Sequence, residues 1–407
     1  MVVGAHVCGT EGDVSDDDAG TPLGASATGD GLRRRRRRRR LGWAGAAVAV
    51  LAVGAVGGGW AVYAKLSGNI TADEAAAAEL ARYEKERPTA LVRGAQNVLV
   101  IGSDTRSGEG NARYGRNDGT ERSDTTILLH LAAGRDSATA VSLPRDLMVD
   151  VPGCRRSDGK RSEPVFAQFN YAYEVGGSAC TIRTVEKLTG IRIDHHVVVD
   201  FQGFKEMVDA LDGVEVCLRE PVNDEAAELR LPAGRVTLDG EQALGYVRAR
   251  KSLGDGSDTD RMDRQQRFLG ALVNKVQSNG VLLNPVKLYP VLDAATSSLT
   301  TDPDLASLRG LYDLVRGLRD IPTGRVQFLT VPRESYAGDA NRDQLVEPDA
   351  EELFTRLRTD KPVAVAAGND GDASAGPREP GESGESGTGD SPAPTFSGNT
   401  AAEDICE

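Results

Sequence analysis

Hydrophobic and polar positions divide the chain into an uncharged stretch near the N-terminus, a long alternating middle and two polar ends. Leu41 to Ala64 carries no charge over 24 residues. At 1.5 Å per residue it is long enough to cross a bilayer core of about 30 Å. Beyond it, Lys65 to Pro88 reads as a helical stalk, with Thr71 and Glu74 in capping-box spacing, an alanine run and a proline stop. Apolar runs at Gln96–Ile101, Thr125–Ala133, Ala138–Leu143 and the short LMVDV predict strands. Helical periodicity follows at Phe166–Val175 and Thr181–Leu188. Next come a strand at Val197–Phe201, a helix at Phe204–Leu211 closed by Gly213, and a strand at Val214–Leu218. Helices at Asp239–Tyr246, Asp263–Gln277, Pro285–Ala294 and Pro303–Leu318 precede a strand at Val326–Val331. Such alternation predicts an α/β sandwich with helices on both faces of one sheet.

Composition sets the ends apart. Residues 1 to 31 hold almost nothing to bury and predict disorder. From Pro362 onward nine acidic residues stand against one basic, Arg378, so this tail accounts for most of the net charge of −13. The acidity therefore says little about the middle. Arg33 to Arg40 is an unbroken arginine run. Because an apolar segment follows at once, it reads as the cytoplasmic flank of a membrane anchor rather than a nucleic-acid arm. Trp43, Trp60 and Tyr63 sit near the ends of that segment, as interfacial aromatics do. A cleaved signal peptide, with Val62 and Ala64 before the cut, is the alternative, although the stretch is long for one. Everything after Lys65 is then expected outside the membrane, where cysteines oxidise. Of five cysteines, Cys154 and Cys180 are the candidate pair, and Cys217, alternating within VEVCLR, reads as a small buried hydrophobe.

The candidate chemistry lies at strand ends. Asp104/Arg106, Arg122/Asp124 and Arg145/Asp146 each abut an apolar strand, where ligands gather in α/β sheets. Surface ion pairs would give the same pattern one at a time. In Tyr246–Arg250, an extended backbone would point Arg248 and Arg250 the same way. Two parallel guanidinium groups suit phosphate. Arg261, Arg264 and Gln265 share a helix face that turns apolar at Phe268 and Leu272, as if the helix began in a cleft. Seven arginines (106, 122, 145, 248, 250, 261 and 264) and at least two carboxylates fit a pyrophosphate, with Mg²⁺ or Mn²⁺ on hard oxygen ligands. Nucleotide-type phosphate loops and a Ser–His pattern are not evident.

These segments, NVLVIGSDTR (97–106), RSDTTILLHL (122–131), VSLPRDLMVDVPG (141–153), DFQGFKEMVDALDGVEV (200–216), and YVRAR followed by DRMDRQQRFLGAL (246–272), resemble the LytR-CpsA-Psr family of cell-wall ligases. The resemblance implies a central mixed sheet between helices, with a hydrophobic pocket for a polyprenyl tail, in a domain over 94–332. Around that domain lie a cytoplasmic tail (1–40), a transmembrane helix (41–64), a stalk (65–93), an extension (333–361) and a disordered acidic tail (362–407). It implies transfer of a teichoic-acid-type glycan from polyprenyl pyrophosphate to peptidoglycan at the cell membrane, with release of polyprenyl phosphate. It further implies that Asp104 and Asp124 hold Mg²⁺, and that Arg122, Arg145, Arg248, Arg250, Arg261 and Gln265 bind or polarise the phosphates. Nucleic acid is not an expected partner. Hydrolysis of the lipid carrier and non-catalytic lipid binding are the rival activities. Two departures stand out: a long polar loop at 107–121, and Asp260 where a glycine usually precedes the arginine.

Overall fold

The computed structural model describes residues 29–104, 123–225, 227–249, 258–278, 285–366, 394–403 and 406. The chain divides into two compact units, Met1–Ala61 and Val62–Glu407. The first holds most of helix α1 (Gly29–Asn69). Its apolar part, Leu41–Asn69, runs for 29 residues. It is the one helix among the described residues long and apolar enough to span a membrane. The helix starts upstream of Arg33 and runs through the arginine run.

The second unit opens with β1 (Thr71–Ala72) and α2 (Glu74–Arg82). The helix cap is Asp73, whose carboxylate accepts from the Ala76 N–H, whereas Thr71, the expected cap, lies in a strand. Then come β2 (Gln96–Ser103), β3 (Ser123–Leu131), β4 (Ala138–Leu143) and a hairpin of β5 (Met148–Val151) with β6 (Val165–Gln168). Helix α3 (Tyr171–Thr189), β7 (His195–Val199) and α4 (Phe201–Ala210) follow. A small lobe contains β8 (Val214–Leu218), β9 (Val222–Asp224), β10 (Leu229–Leu231), β11 (Gly234–Leu238) and α5 (Gly240–Arg248). Helices α6 (Asp258–Ser278) and α7 (Pro285–Ser298), strand β12 (Leu299–Thr301) and helix α8 (Leu308–Arg319) lead to β13 (Val326–Thr330). The chain continues through the hairpin β14 (Arg333–Tyr336) and β15 (Asp339–Leu345), helix α9 (Asp349–Arg358), β16 (Ala364–Ala366) and β17 (Thr395–Thr400).

Nine strands form one mixed sheet in the order β1-β12-β7-β2-β3-β4-β13-β17-β16. Alternation along its strands fills two layers. Leu99, Ile101, Leu128 and Val141 face a core shared with Ile182 and Val185 of α3 and Leu353 and Phe354 of α9. Ile127, Leu131, Ala138 and Phe328 face the other side, against Leu269 and Val273 of α6 and Leu314 and Leu318 of α8. The mixed sheet between helix layers is the expected one. Two local expectations fail. Val165–Gln168 is a strand, because pairing with β5 decides a short apolar run whose pattern alone fits either element. The helix after it breaks at Gly176 and Gly177, the latter at φ 58°, a backbone region open to glycine, in the gap expected between the two helical segments. The acidic tail is ordered at both its ends: β16 and β17 join the central sheet, with β17 pairing β13.

Cys154 and Cys180 form the expected disulfide, with Cα atoms 5.6 Å apart. Cys217 corrects its reading as a buried hydrophobe: it is bonded to Cys406, Cα to Cα 5.7 Å. Alternation within β8 marks a pleated position and says nothing about a partner 189 residues away.

The stalk is tied to the sheet through Asp73, which accepts from His196 Nε2 (3.3 Å) and from the Ser178 hydroxyl. Burial opposes its charge, but those bonds and the Ala76 N–H outweigh it and hold the carboxyl at about 2. A depressed carboxyl pKa contributes stability above its unfolded value near 3.8 and loses it as pH falls toward the folded one. The melting temperature should therefore drop between about pH 4 and 2, and Asp73→Asn should flatten that drop in a calorimetric pH series.

Candidate active site

Five strand ends meet at one edge of the sheet. β2 and β3 are antiparallel, with Ser103 opposite Ser123 and Gly102 opposite Thr125, so Asp124 is the extra residue of a bulge. Asp104, next after Ser103, and Asp124 thus leave neighbouring strands at the same end. β4 ends beside them, Leu143 facing Thr126, and passes into Pro144-Arg145-Asp146. β13 runs parallel to β4 with Thr330 beside Ser142. β7 runs parallel to β2 with Val199 beside Gly102 and leads into Asp200 and Phe201.

Arg145 is the hub of this edge. Its Nη1 donates to Asp124 Oδ1 (3.1 Å) and its Nε to Asp146 Oδ2 (3.2 Å). Asp146 also accepts from Gln168 Nε2 (2.5 Å) and Arg342 Nη1 (3.4 Å). The Asp343 N–H donates to the Asp146 carbonyl (3.2 Å), and Arg333 pairs with the Asp343 carboxylate. The β14–β15 hairpin therefore braces the loop that carries Arg145.

Helix α6 crosses the same edge. Gln266, buried, donates to Ser142 Oγ (3.2 Å) and Thr330 Oγ1 (2.9 Å), which seats the helix over β4 and β13. Gln265 Nε2 donates to the Val247 carbonyl (3.2 Å) and Arg264 to the Ala249 carbonyl. Arg261 and Arg264 are 4% and 5% exposed. The shared face of Arg261, Arg264 and Gln265 is thus present, with both arginines buried and Gln265 partly so, and two of its members hold the end of α5. Gln265→Ala should cost about 1 kcal/mol of stability through that lost bond; denaturant titration at an unchanged slope checks it.

The segment carrying Arg248 is helical and not extended. Asp239 and Gln242 form a capping box, and the helix so begun runs through Arg248. Two-residue alternation therefore does not place Arg248, whose guanidinium lies 4.5 Å over the Phe201 ring, at the end of β7. Arg106, Arg122 and Arg250 lie outside the described residues. Asp260 has an electrostatic consequence: with burial as the main cause, it helps raise the Asp263 carboxyl above its usual range, against Arg267, Arg333 and Arg264.

Arg333, Arg342, Asp343, Gln168 and Gln266 were not singled out from the sequence. One signal was there. SLPRD (142–146) and TVPRE (330–334) repeat the same pattern, and the register places the two side by side.

Among the described residues no group of three or more His, Cys, Asp or Glu side chains is placed to hold a metal. Mg²⁺ asks for less, since it commonly binds through one or two carboxylates together with substrate phosphates and water. Two aspartates on adjacent strand ends offer hard oxygen donors and fit that demand.

The LytR_cpsA_psr family model matches residues 62–359. The chain is 35% identical over 280 residues to cell wall biosynthesis protein LcpA of Corynebacterium glutamicum, covering 62% of this chain and 53% of that protein. It is 35% identical over 207 residues to the polyisoprenyl-teichoic acid–peptidoglycan teichoic acid transferase TagU of Enterococcus faecalis, covering 51% and 61%. The chain thus spans between about half and two thirds of these relatives' lengths. Two solved structures share the fold. A LytR-Csp2A-Psr enzyme from Actinomyces oris has a TM-score of 0.52 at 23% identity, over 67% of this chain and 93% of that one. TagV of Bacillus subtilis has a TM-score of 0.52 at 23% identity, over 66% and 98%. With the motifs at one sheet edge and the family model matched from 62 to 359, the chain belongs to the LytR_cpsA_psr family.

Proposed function

We propose that this protein is a membrane-anchored phosphotransferase that moves a phosphate-linked glycopolymer from polyprenyl pyrophosphate to peptidoglycan. The observation that carries the reading is the convergence of Asp104, Asp124 and Arg145 on one strand edge, with Arg248 at the neighbouring strand end. Family membership and the names of the relatives support it. The arginine run that precedes the apolar part of α1 favours an N-terminus inside, which leaves the domain outside the membrane. Two disulfides suit that compartment.

In the reaction, a muramic acid hydroxyl oxygen forms a bond to the polymer-bearing phosphorus. The bond from that phosphorus to the bridging oxygen breaks, and polyprenyl phosphate leaves with the electron pair. Arg145 is placed to offset charge spreading over the phosphoryl oxygens, and its two aspartate partners fix its plane. Arg248 extends the cationic edge toward β7. Asp104 or Asp124 accepts the hydroxyl proton. Arg264 and Gln265 keep the Val247–Ala249 backbone in place, so they act here as positioning residues. Asp104 and Asp124 would hold Mg²⁺ or Mn²⁺, which when bound supplies positive charge to the pyrophosphate oxygens.

The test is to incubate the full chain in detergent with lipid-linked glycan, peptidoglycan fragments and Mg²⁺. A covalent glycan–peptidoglycan product supports the transferase. Free phosphorylated glycan in its place would mean hydrolysis of the carrier, and absence of turnover would leave a lipid-binding protein. Chelation should stop turnover and added Mg²⁺ restore it.

A further inference from the structure

We infer that the concavity beside the β5–β6 hairpin is a docking groove for a polyanionic stretch of the polymer being transferred; this rests on the transferase reading above. The groove is a shallow, open concavity of about 650 Å³ at the hairpin's loop end. Arg156, Lys160 and Arg161 line it, against Asp158 and Glu163, with Tyr171 on its wall. All five charged residues are exposed. Arg155, also exposed, adjoins them, so cations outnumber carboxylates four to two over residues 155–163.

Two features suit it to a ligand. The loop is held from behind: Cys154 at its base is bonded to Cys180 in α3, and Arg183 Nη1 donates to the Gly153 carbonyl (2.7 Å). Arg161 is braced over the Tyr83 ring at 5.1 Å. A cationic surface fixed in advance loses little freedom when an anion binds. The second feature is reach. β6 leads from Val165, on the groove wall, to Gln168, whose amide holds Asp146, the partner of Arg145. Three strand residues span about 10 Å, a distance a short run of sugar rings covers. A polymer whose terminal phosphate lies at Arg145 can therefore lay its next anionic repeats along the groove. Arginine forks and a lysine match phosphodiesters in particular. The internal pair Arg156–Asp158, at 4.0 Å and half-exposed, is loose enough to exchange for a phosphate.

The probe is soluble poly(glycerol phosphate), titrated against the full chain in detergent, with dextran as the uncharged glycan and a muropeptide as a competitor. Binding should weaken as salt rises and fall roughly tenfold in Arg156→Glu/Lys160→Glu. Arg156→Lys/Lys160→Arg, which keeps the charge, should bind as the unmodified chain does. Unchanged binding in the folded charge-reversed variant would overturn the groove. So would equal binding of dextran, or no binding of poly(glycerol phosphate) to the unmodified chain. Displacement by the muropeptide at equal or lower concentration would also overturn it, by assigning the groove to the acceptor. Turnover of the unmodified chain with a donor too short to reach the groove tests the transferase reading separately. Its loss alongside intact polymer binding would refute that reading alone.

Discussion

Replacing Arg145 with alanine should lower the transfer rate by on the order of 10³-fold while the domain stays folded. Its guanidinium bridges Asp124 and Asp146, and its side chain is 23% exposed, so it is neither a free surface charge nor a sealed core ion. Without it, Asp146 keeps Gln168 and Arg342 as donors. Asp124, 35% exposed at its side chain, can turn to water. The stability cost should accordingly be about 1–2 kcal/mol, below the 3–5 kcal/mol typical of stranding a buried charge. Arg145→Lys keeps the charge but loses the planar fork, so it should recover part of the rate only. Turnover and melting temperature measured on the same variants decide the matter. A collapse of stability in proportion to activity would make Arg145 a packing residue.

Opening the Cys217–Cys406 bond should destabilise the domain on the order of 5 kcal/mol, against roughly 3–4 kcal/mol for Cys154–Cys180. The difference comes from loop length: the sequence separations are 189 and 26 residues, and chain-entropy loss grows with the logarithm of the closed loop. Denaturant midpoints of Cys217→Ser/Cys406→Ser and Cys154→Ser/Cys180→Ser, each compared with the oxidised parent, test the order. A midpoint unmoved by loss of the longer link would show that the β8 lobe holds the chain end without it.

The sheet's central strands were legible because their signals were local and agreed. β4 begins and ends where its apolar run does, and β2 and β3 overlap theirs closely. The candidate acids and Arg145 were legible because each abuts the end of such a strand. What stayed hidden depended on partners distant in the chain. β17 carries few apolar residues and becomes a strand only between β13 and β16, both distant in the chain. Cys217 looked like any inward residue. The reading of Arg248 failed from a choice of period: five residues fit a strand, but the capping signal at Asp239 and Gln242 had already fixed a helix. Arg333 was overlooked because a single Pro-Arg-acid run is common. Its match to 142–146 gains meaning only once β4 and β13 are neighbours.

The late arrival of β17 shapes how this protein is made. β4 and β13 can pair as soon as Thr330 has been synthesised, but the far side of β13 waits for Thr395–Thr400, about 65 residues later. At bacterial elongation rates of roughly 5–20 residues per second, that is an interval of several seconds. Throughout it, Val326–Thr330 presents an unprotected row of amide and carbonyl groups, the kind of template on which strands from other chains add. Mutations that slow the delivery of residues 395–400 should therefore surface as aggregation during synthesis, even where the finished protein is fully stable.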